Sequence, residues 1–143
     1  MNVATILNQK GRNVATAGAE ASLMDIVGDL ARHKVGAMVI VDDRRRVVGI
    51  VSERDIVRAL ASGGTGVLSR SAGDFMTRGV VTCSEEDTVA ELMEQMTDGR
   101  FRHVPVVTDG KLAGIVSIGD VVKERVNEAE REAEAMRSYI ATG

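Results

Sequence analysis

Gly114-Ile115-Val116-Ser117-Ile118-Gly119-Asp120 is a phrase that the chain says twice. The other copy, Gly49-Ile50-Val51-Ser52-Glu53-Arg54-Asp55, stands 65 residues earlier. Glycine, the Ile-Val pair, Ser and Asp all recur in place. A short apolar strand runs into a Ser, and the Asp three residues later opens an amphipathic helix. Strand, Ser and Asp repeated in this way imply a tandem repeat built around a shared cleft.

The repeat extends outward from these phrases. Val80-Val81-Thr82 answers Val14-Ala15-Thr16 at an offset of 66. Thr88 to Thr97 answers Ser22 to Ala31, and Phe101 to Val107 answers Val35 to Val41 at the same spacing. The second hairpin turn, around Asp109-Gly110, is one residue shorter than Asp42-Asp43-Arg44-Arg45. The offset therefore falls to 65 for the returning strand and its helix, a change that a turn tolerates well.

Each half reads strand, helix, strand, strand, helix. The brief first strand is Asn13-Val14-Ala15-Thr16, and Val35 to Val41 is a strand buried on both faces. The expected fold class is α/β: two βαββα repeats in a pseudo-twofold pair, with small mixed sheets, helices on one face and a long C-terminal helix. Residues 1–66 form the first unit, with a lead-in helix from Met1 to Arg12. Residues 67–143 form the second. Ser62-Gly63-Gly64-Thr65-Gly66 is the expected flexible joint, and Ser69 to Met76 a short bridging helix. The last helix is expected from Ser117 to Ile140. Val122, Val126, Ala129, Ala133, Met136 and Ile140 step along it in a heptad-like seam. That seam either lies back on its own domain or meets another subunit.

Composition narrows the function classes. A half of about 70 residues rarely buries enough apolar surface alone, so the halves should share a core. Aromatic residues are 2% of the chain, so the core is aliphatic and any bound base lies against aliphatic walls. A net charge of −3 argues against a nucleic-acid partner. Cys83 is alone, which excludes an internal disulfide and suits a reducing compartment. No apolar run approaches the ~18 residues of a membrane span, and no signal segment is expected after Met1. The expectation is a soluble cytoplasmic protein. With two His and one Cys, a metal cluster is not expected. No phosphate loop, Cys-x-x-Cys or nucleophile–base pairing points to an enzyme.

Read as residues alone, Ser52 with Asp55 and Ser117 with Asp120 are helix caps, as are Ser22 with Asp25 and Thr88 with Glu91. The second and fourth differ in the Gly-Ile-Val strand before them. An Asp at a helix start can also accept from both hydroxyls of a ribose, and free N–H groups nearby favour phosphate. Arg102 and His103 enter a buried strand side by side. They read as a surface Arg and a hydrogen-bonded His, or as a pair that meets a phosphate. Arg54 reaches solvent, a carboxylate or a phosphate.

The doubled Gly-h-h-Ser-x-x-Asp, its spacing and the phrase Arg102-His103-Val104-Pro105-Val106 resemble a tandem pair of CBS domains, the Bateman module, of a stand-alone bacterial type. The resemblance covers nearly the whole chain. It implies a regulatory, ligand-sensing module that binds an adenine-containing nucleotide (AMP, ATP or NAD(H)) between the repeats, without a metal. It implies that Ser52, Asp55, Ser117 and Asp120 face the cleft and hold ribose, and that Arg102 and His103 reach phosphate. Thr16 and Thr82 then line the cleft beside the base, while Val35 and Ile115 are core residues that also wall it. Gly36-Ala37 stands where Arg102-His103 stands in the second half. Ala37 and its neighbour leave backbone open to an adenine edge but supply no charge, so the two clefts should be unequal. The stronger cleft is expected to combine Arg102 and His103 with Ser117, Asp120 and Thr16. The resemblance also implies a flat homodimer formed through the helices that begin at Ser52 and Ser117, and an effector protein acting in trans. The competing functions are a structural dimerisation module without a ligand and a nucleotide-processing enzyme.

Overall fold

Ala37-Met38-Val39-Ile40-Val41 carries no polar side chain, and it forms the middle strand of the first half with Ala37 to Ile40 buried. In the computed structural model, which describes residues 1–142, the elements of this half are α1 (Val3–Lys10), β1 (Thr16–Ala17), α2 (Leu23–His33), β2 (Ala37–Val41), β3 (Val47–Ser52) and α3 (Glu53–Gly63). The second half holds α4 (Val89–Gly99), β4 (His103–Thr108), β5 (Lys111–Ser117) and α5 (Ile118–Thr142). Gly143, the last residue of the expected second repeat, lies outside the described residues. β1 pairs parallel to β2, and β2 antiparallel to β3. The first sheet is therefore mixed, as expected.

The answering strand in the second half shrinks to one residue. Val80 to Thr82 does not pair. Cys83 alone bridges Val106, donating to the Pro105 carbonyl at 3.0 Å and accepting from Val107 N–H at 2.9 Å. Gly79, at φ 63°, turns the chain just before this stretch, so strand propensity there finds a partner at one position only. The repeat itself holds: Ala17 faces Ile40 in the first half as Cys83 faces Val106 in the second. The first strand likewise sits later than Asn13–Thr16, at Thr16–Ala17.

Val35 is not a core residue. Lys34 closes α2 in the left-handed conformation at φ 56°, and Val35 N–H returns to the Leu30 carbonyl at 3.1 Å. Val35 thus belongs to the helix end rather than the strand and is 39% exposed. The Gly-rich stretch after Ser62 is also more ordered than its composition suggests. α3 continues to Gly63, a 3-10 turn follows over Gly64–Ser69, and Val67 is buried within it. Of the bridging helix, only a 3-10 turn at Ala72–Asp74 forms.

The two cores exchange their lead-in segments. Val3, Ile6 and Leu7 of α1 lie in the second core, with Leu92, Val104, Val106 and Val116. Val67, Ala72 and Met76 of the connecting segment lie in the first, with Leu23, Ile26, Met38 and Val51. The division at residue 66 is therefore one of sequence, while each core is closed by the other half's leader. Backbone bonds fix the crossing: Val3 N–H donates to Asp87 O at 2.9 Å, and Thr77 and Ile50 exchange both of theirs.

The glycine that opens each repeated phrase is the floor under this crossing. A Cβ on Gly49 would run into Met76, and one on Gly114 would lie 2.7 Å from Leu7 Cδ2. Leu7 is 1% exposed and has nowhere to swing. α5 begins in the core with Val121 and Glu124, and from Ala129 onward it is exposed.

Two glycine substitutions should therefore act in opposite directions. Gly114→Ala overpacks the floor and should lower the unfolding free energy by about 1–3 kcal/mol. Gly28→Ala, inside α2 with nothing within 4 Å of the added carbon, should raise it by about 0.5–1 kcal/mol. Urea unfolding of both variants checks the pair.

Candidate functional site

Ser52 ends β3 and caps α3, and its partner Asp55 returns the bond. Asp55 N–H donates to Ser52 Oγ at 3.2 Å, and Ser52 N–H donates to Asp55 Oδ2 at 2.9 Å. Ser117 and Asp120 repeat the box at 3.2 and 2.9 Å. Ser22 and Thr88 only accept, from the N–H groups of Asp25 and Glu91 at 3.1 Å each. Among the described residues neither of those carboxylates reaches back. The second and fourth helix starts thus differ from the other two in geometry as well as in sequence.

A cleft of about 510 Å³ opens at the first of these boxes, and it is built from both halves. Ser52, Asp55 and Gly36 come from one side, and Arg102 and His103 from the other. Arg54, Arg58 and Arg100 add charge, while Ile50, Val57 and Phe101 supply apolar wall. Four arginines against Glu53 and Asp55 make this a basic patch on a chain of net charge −3.

Of the expected grouping, His103 pairs with Ser117 in the sheet and lies within reach of the Asp120 charge, while Thr16 lies elsewhere; Arg102 and His103 also line the cleft with Ser52 and Asp55. The two β-strand entries are equivalent in backbone: Glu53 N–H donates to Gly36 O at 3.0 Å, and Ile118 N–H to Arg102 O at 2.8 Å. The side chains of the second entry, however, project across the pseudo-twofold to the first half. Gly36 lies directly under this ring. A Cβ there would lie 3.5 Å from His103 Cε1, an ordinary contact distance, so the ring of one half packs against the strand entry of the other.

Burial is the largest influence on His103 and pushes its pKa below 6.5. Arg102 and Lys10 push the same way, against Glu53 and Asp120. The neutral imidazole is the folded form, half-buried and beside a guanidinium. An arriving anion would reverse that balance.

The other expected site residues are scattered. Thr16 lines a separate depression with Asp42, Asp43 and Arg78. Ala37 is 5% exposed and pairs with Ser52 in the sheet, so Gly36 rather than Ala37 reaches the cleft. Val35 and Thr82 are exposed and lie outside the cleft lining. Ile115 and Asp120 are both engaged by Lys10: its Nζ donates to Ile115 O at 3.0 Å and to Asp120 Oδ2 at 2.7 Å. Desolvation opposes but does not outweigh that ammonium and the Ser117 bonds, which hold the Asp120 carboxyl below its ordinary 3.8.

Sequence reasoning missed Lys10, Thr77, Arg58, Arg100 and Phe101. Arg100 and Phe101 adjoin Arg102 in the chain, and the basic run was the available signal. Lys10 and Thr77 sit on the exchanged segments, and nothing local ties them to the repeated phrase. Cys83 is buried and its thiol is pushed up to about 12, by burial first and Asp87 second. It is no nucleophile at neutral pH. Among the described residues no group of three or more His, Cys, Asp or Glu side chains is placed to hold a metal ion, and no helix is long and apolar enough to cross a membrane.

The family model for the CBS domain matches this chain twice, over residues 9–62 and 72–127. The chain belongs to the CBS-domain family. A CBS-domain containing protein from Agrobacterium tumefaciens superposes with a TM-score of 0.84 at 49% identity, covering 87% of this chain and 99% of that one. A CBS-domain protein from Pyrobaculum aerophilum, solved in complex with AMP, gives a TM-score of 0.75 at 30% identity and covers 84% and 89% of the two chains. A mitochondrial CBS-domain protein of Arabidopsis thaliana is 37% identical over 126 residues, which is 85% of this chain and 61% of that protein. This CBS pair thus spans about three-fifths of the first curated relatives it matches.

His103 should make stability depend on pH. Its folded value lies below its unfolded value, so its contribution is complete above pH 6.5 and is lost as pH falls through the lower value. Unfolding free energy should fall between pH 7 and pH 5, and more steeply in wild type than in His103→Asn. Parallel slopes in urea titrations across that range would assign the loss to other groups.

Proposed function

We propose that this CBS pair is a regulatory module that binds an adenine-containing nucleotide in the cleft between Asp55 and Arg102. The observation that carries the reading is the meeting, across the two halves, of a cap carboxylate with a basic pair. Asp55 Oδ2 is taken by the cap, while Oδ1 has only Thr77 Oγ1 at 3.4 Å. That oxygen is available to a ribose diol. Arg102, His103 and the neighbouring arginines suit phosphate, and Ile50, Val57 and Phe101 suit the base. AMP, ATP and NAD(H) all carry these parts, and the related Pyrobaculum protein binds AMP. The work is binding rather than catalysis, in a reducing cytoplasm that suits the lone, buried Cys83. A ligand there touches both halves, so it favours one placement of them over others, and a partner protein in trans reads that placement.

Calorimetric titration with AMP tests the reading. Arg102→Ala removes a charged hydrogen bond worth about 1.5–3 kcal/mol, which is roughly 10- to 150-fold in affinity. Asp55→Ala should weaken binding as well and lower stability by ~1 kcal/mol through the lost cap. Asp25→Ala, at the same helix position on α2 but outside the cleft, should leave affinity unchanged. Equal affinity in all four proteins would reduce Asp55 to a cap.

A second property follows from α5. Val122, Val126, Met136 and Ile140 of the expected seam are 45, 50, 60 and 70% exposed, so the helix does not lie back on its own domain. We propose that a second copy covers this stripe, giving a homodimer. That arrangement also serves the alternative function, a dimerisation module without a ligand. Sedimentation at micromolar concentration should show a dimer, and Val126→Glu with Ile140→Glu should return it to monomer.

A further inference from the structure

Each repeated phrase is gripped by the other half's lead-in segment, but by different chemistry. In the first half the grip is neutral. Thr77 donates its N–H to Ile50 O at 2.8 Å and its Oγ1 to Asp55 Oδ1 at 3.4 Å. In the second half one side chain reaches the corresponding carbonyl and the corresponding Asp: Lys10 Nζ donates to Ile115 O at 3.0 Å and to Asp120 Oδ2, the oxygen that also accepts from Ser117 N–H, at 2.7 Å. Ile50 answers Ile115, and Asp55 answers Asp120, at the same offset of 65. An ammonium therefore stands where the first half has an amide and a hydroxyl.

The consequence is electrostatic and steric. The donors on Asp55 are neutral, whereas Asp120 is paired with an ammonium 2.7 Å away. A ribose at Asp120 meets a carboxylate already paired with that ammonium, which also holds the Ile115 carbonyl. The second position also lacks a basic pair, because Gly36 and Ala37 stand where the first cleft draws on Arg102 and His103.

We propose that Lys10 is an internal occupant of the second repeat-related position, closing it to nucleosides so that each chain binds one nucleotide rather than two. Lys10 is thus a specificity-determining residue for stoichiometry, and it clasps the end of α1 to the second half. This inference rests on the nucleotide-binding reading above.

The test is calorimetric stoichiometry with AMP and with adenosine, which lacks the phosphate. Wild type should bind one molecule per chain, and Asp55→Ala should abolish or weaken that event. Lys10→Met and Lys10→Gln should each gain a second, adenosine-binding event, lost again when Asp120→Ala is added. Lys10 is on the surface, a third exposed at its side chain, and the two variants guard against a fold defect in either; melting curves confirm both are folded. Two nucleotides per wild-type chain, or one in wild type and still one in both Lys10 variants, would overturn this inference and leave the nucleotide reading intact. No binding by wild type or by either variant would overturn both.

Discussion

Two glycines hold the crossing of the lead-in segments in place. Gly49 lies under Met76, and Gly114 under Leu7. With no side chain at these strand positions, each sheet accepts a segment from the far end of the other repeat. Neither half, at about 70 residues, buries a sufficient core by itself. The exchange supplies the missing apolar side chains: Val3, Ile6 and Leu7 to one core, Val67, Ala72 and Met76 to the other. The repeats are therefore coupled through their cores rather than through an added interface.

The same crossing decides the electrostatics of the clefts. Each lead-in segment ends beside the opposite helix cap, so its last residues face that cap's carboxylate. Thr77 brings a neutral hydroxyl to Asp55, while Lys10 brings an ammonium to Asp120. The β-strand entries add a second difference in the same direction, because His103 projects onto Gly36. The arginines thereby gather at one of two positions that the backbone makes equivalent.

α5 carries the remaining function of the chain. Its first turns belong to the core, through Val121 and the buried Glu124, which Arg131 meets at 2.9 Å. Beyond them the helix offers an apolar stripe to solvent. α5 starts at the Ser117 cap, directly after the strand β5 that pairs with His103.

The sequence by itself determined the repeat, the order of elements and the caps. These depend on local chemistry: apolar period, Asp-Gly at the second hairpin turn, and Ser or Thr three residues ahead of an acid. Ser52, Asp55, Arg102 and His103 were legible as candidates because each carries a local signal. Tertiary structure alone decided which of them meet. Val35 left the core because the end of α2 claimed its N–H, and Val80 to Thr82 found no partner strand. Arg102 lines the cleft that holds Asp55 because the halves face each other about a pseudo-twofold, which no spacing along the chain encodes. Lys10 was silent for the same reason: it lies 110 residues from Asp120, and only the exchange of lead-in segments makes them neighbours.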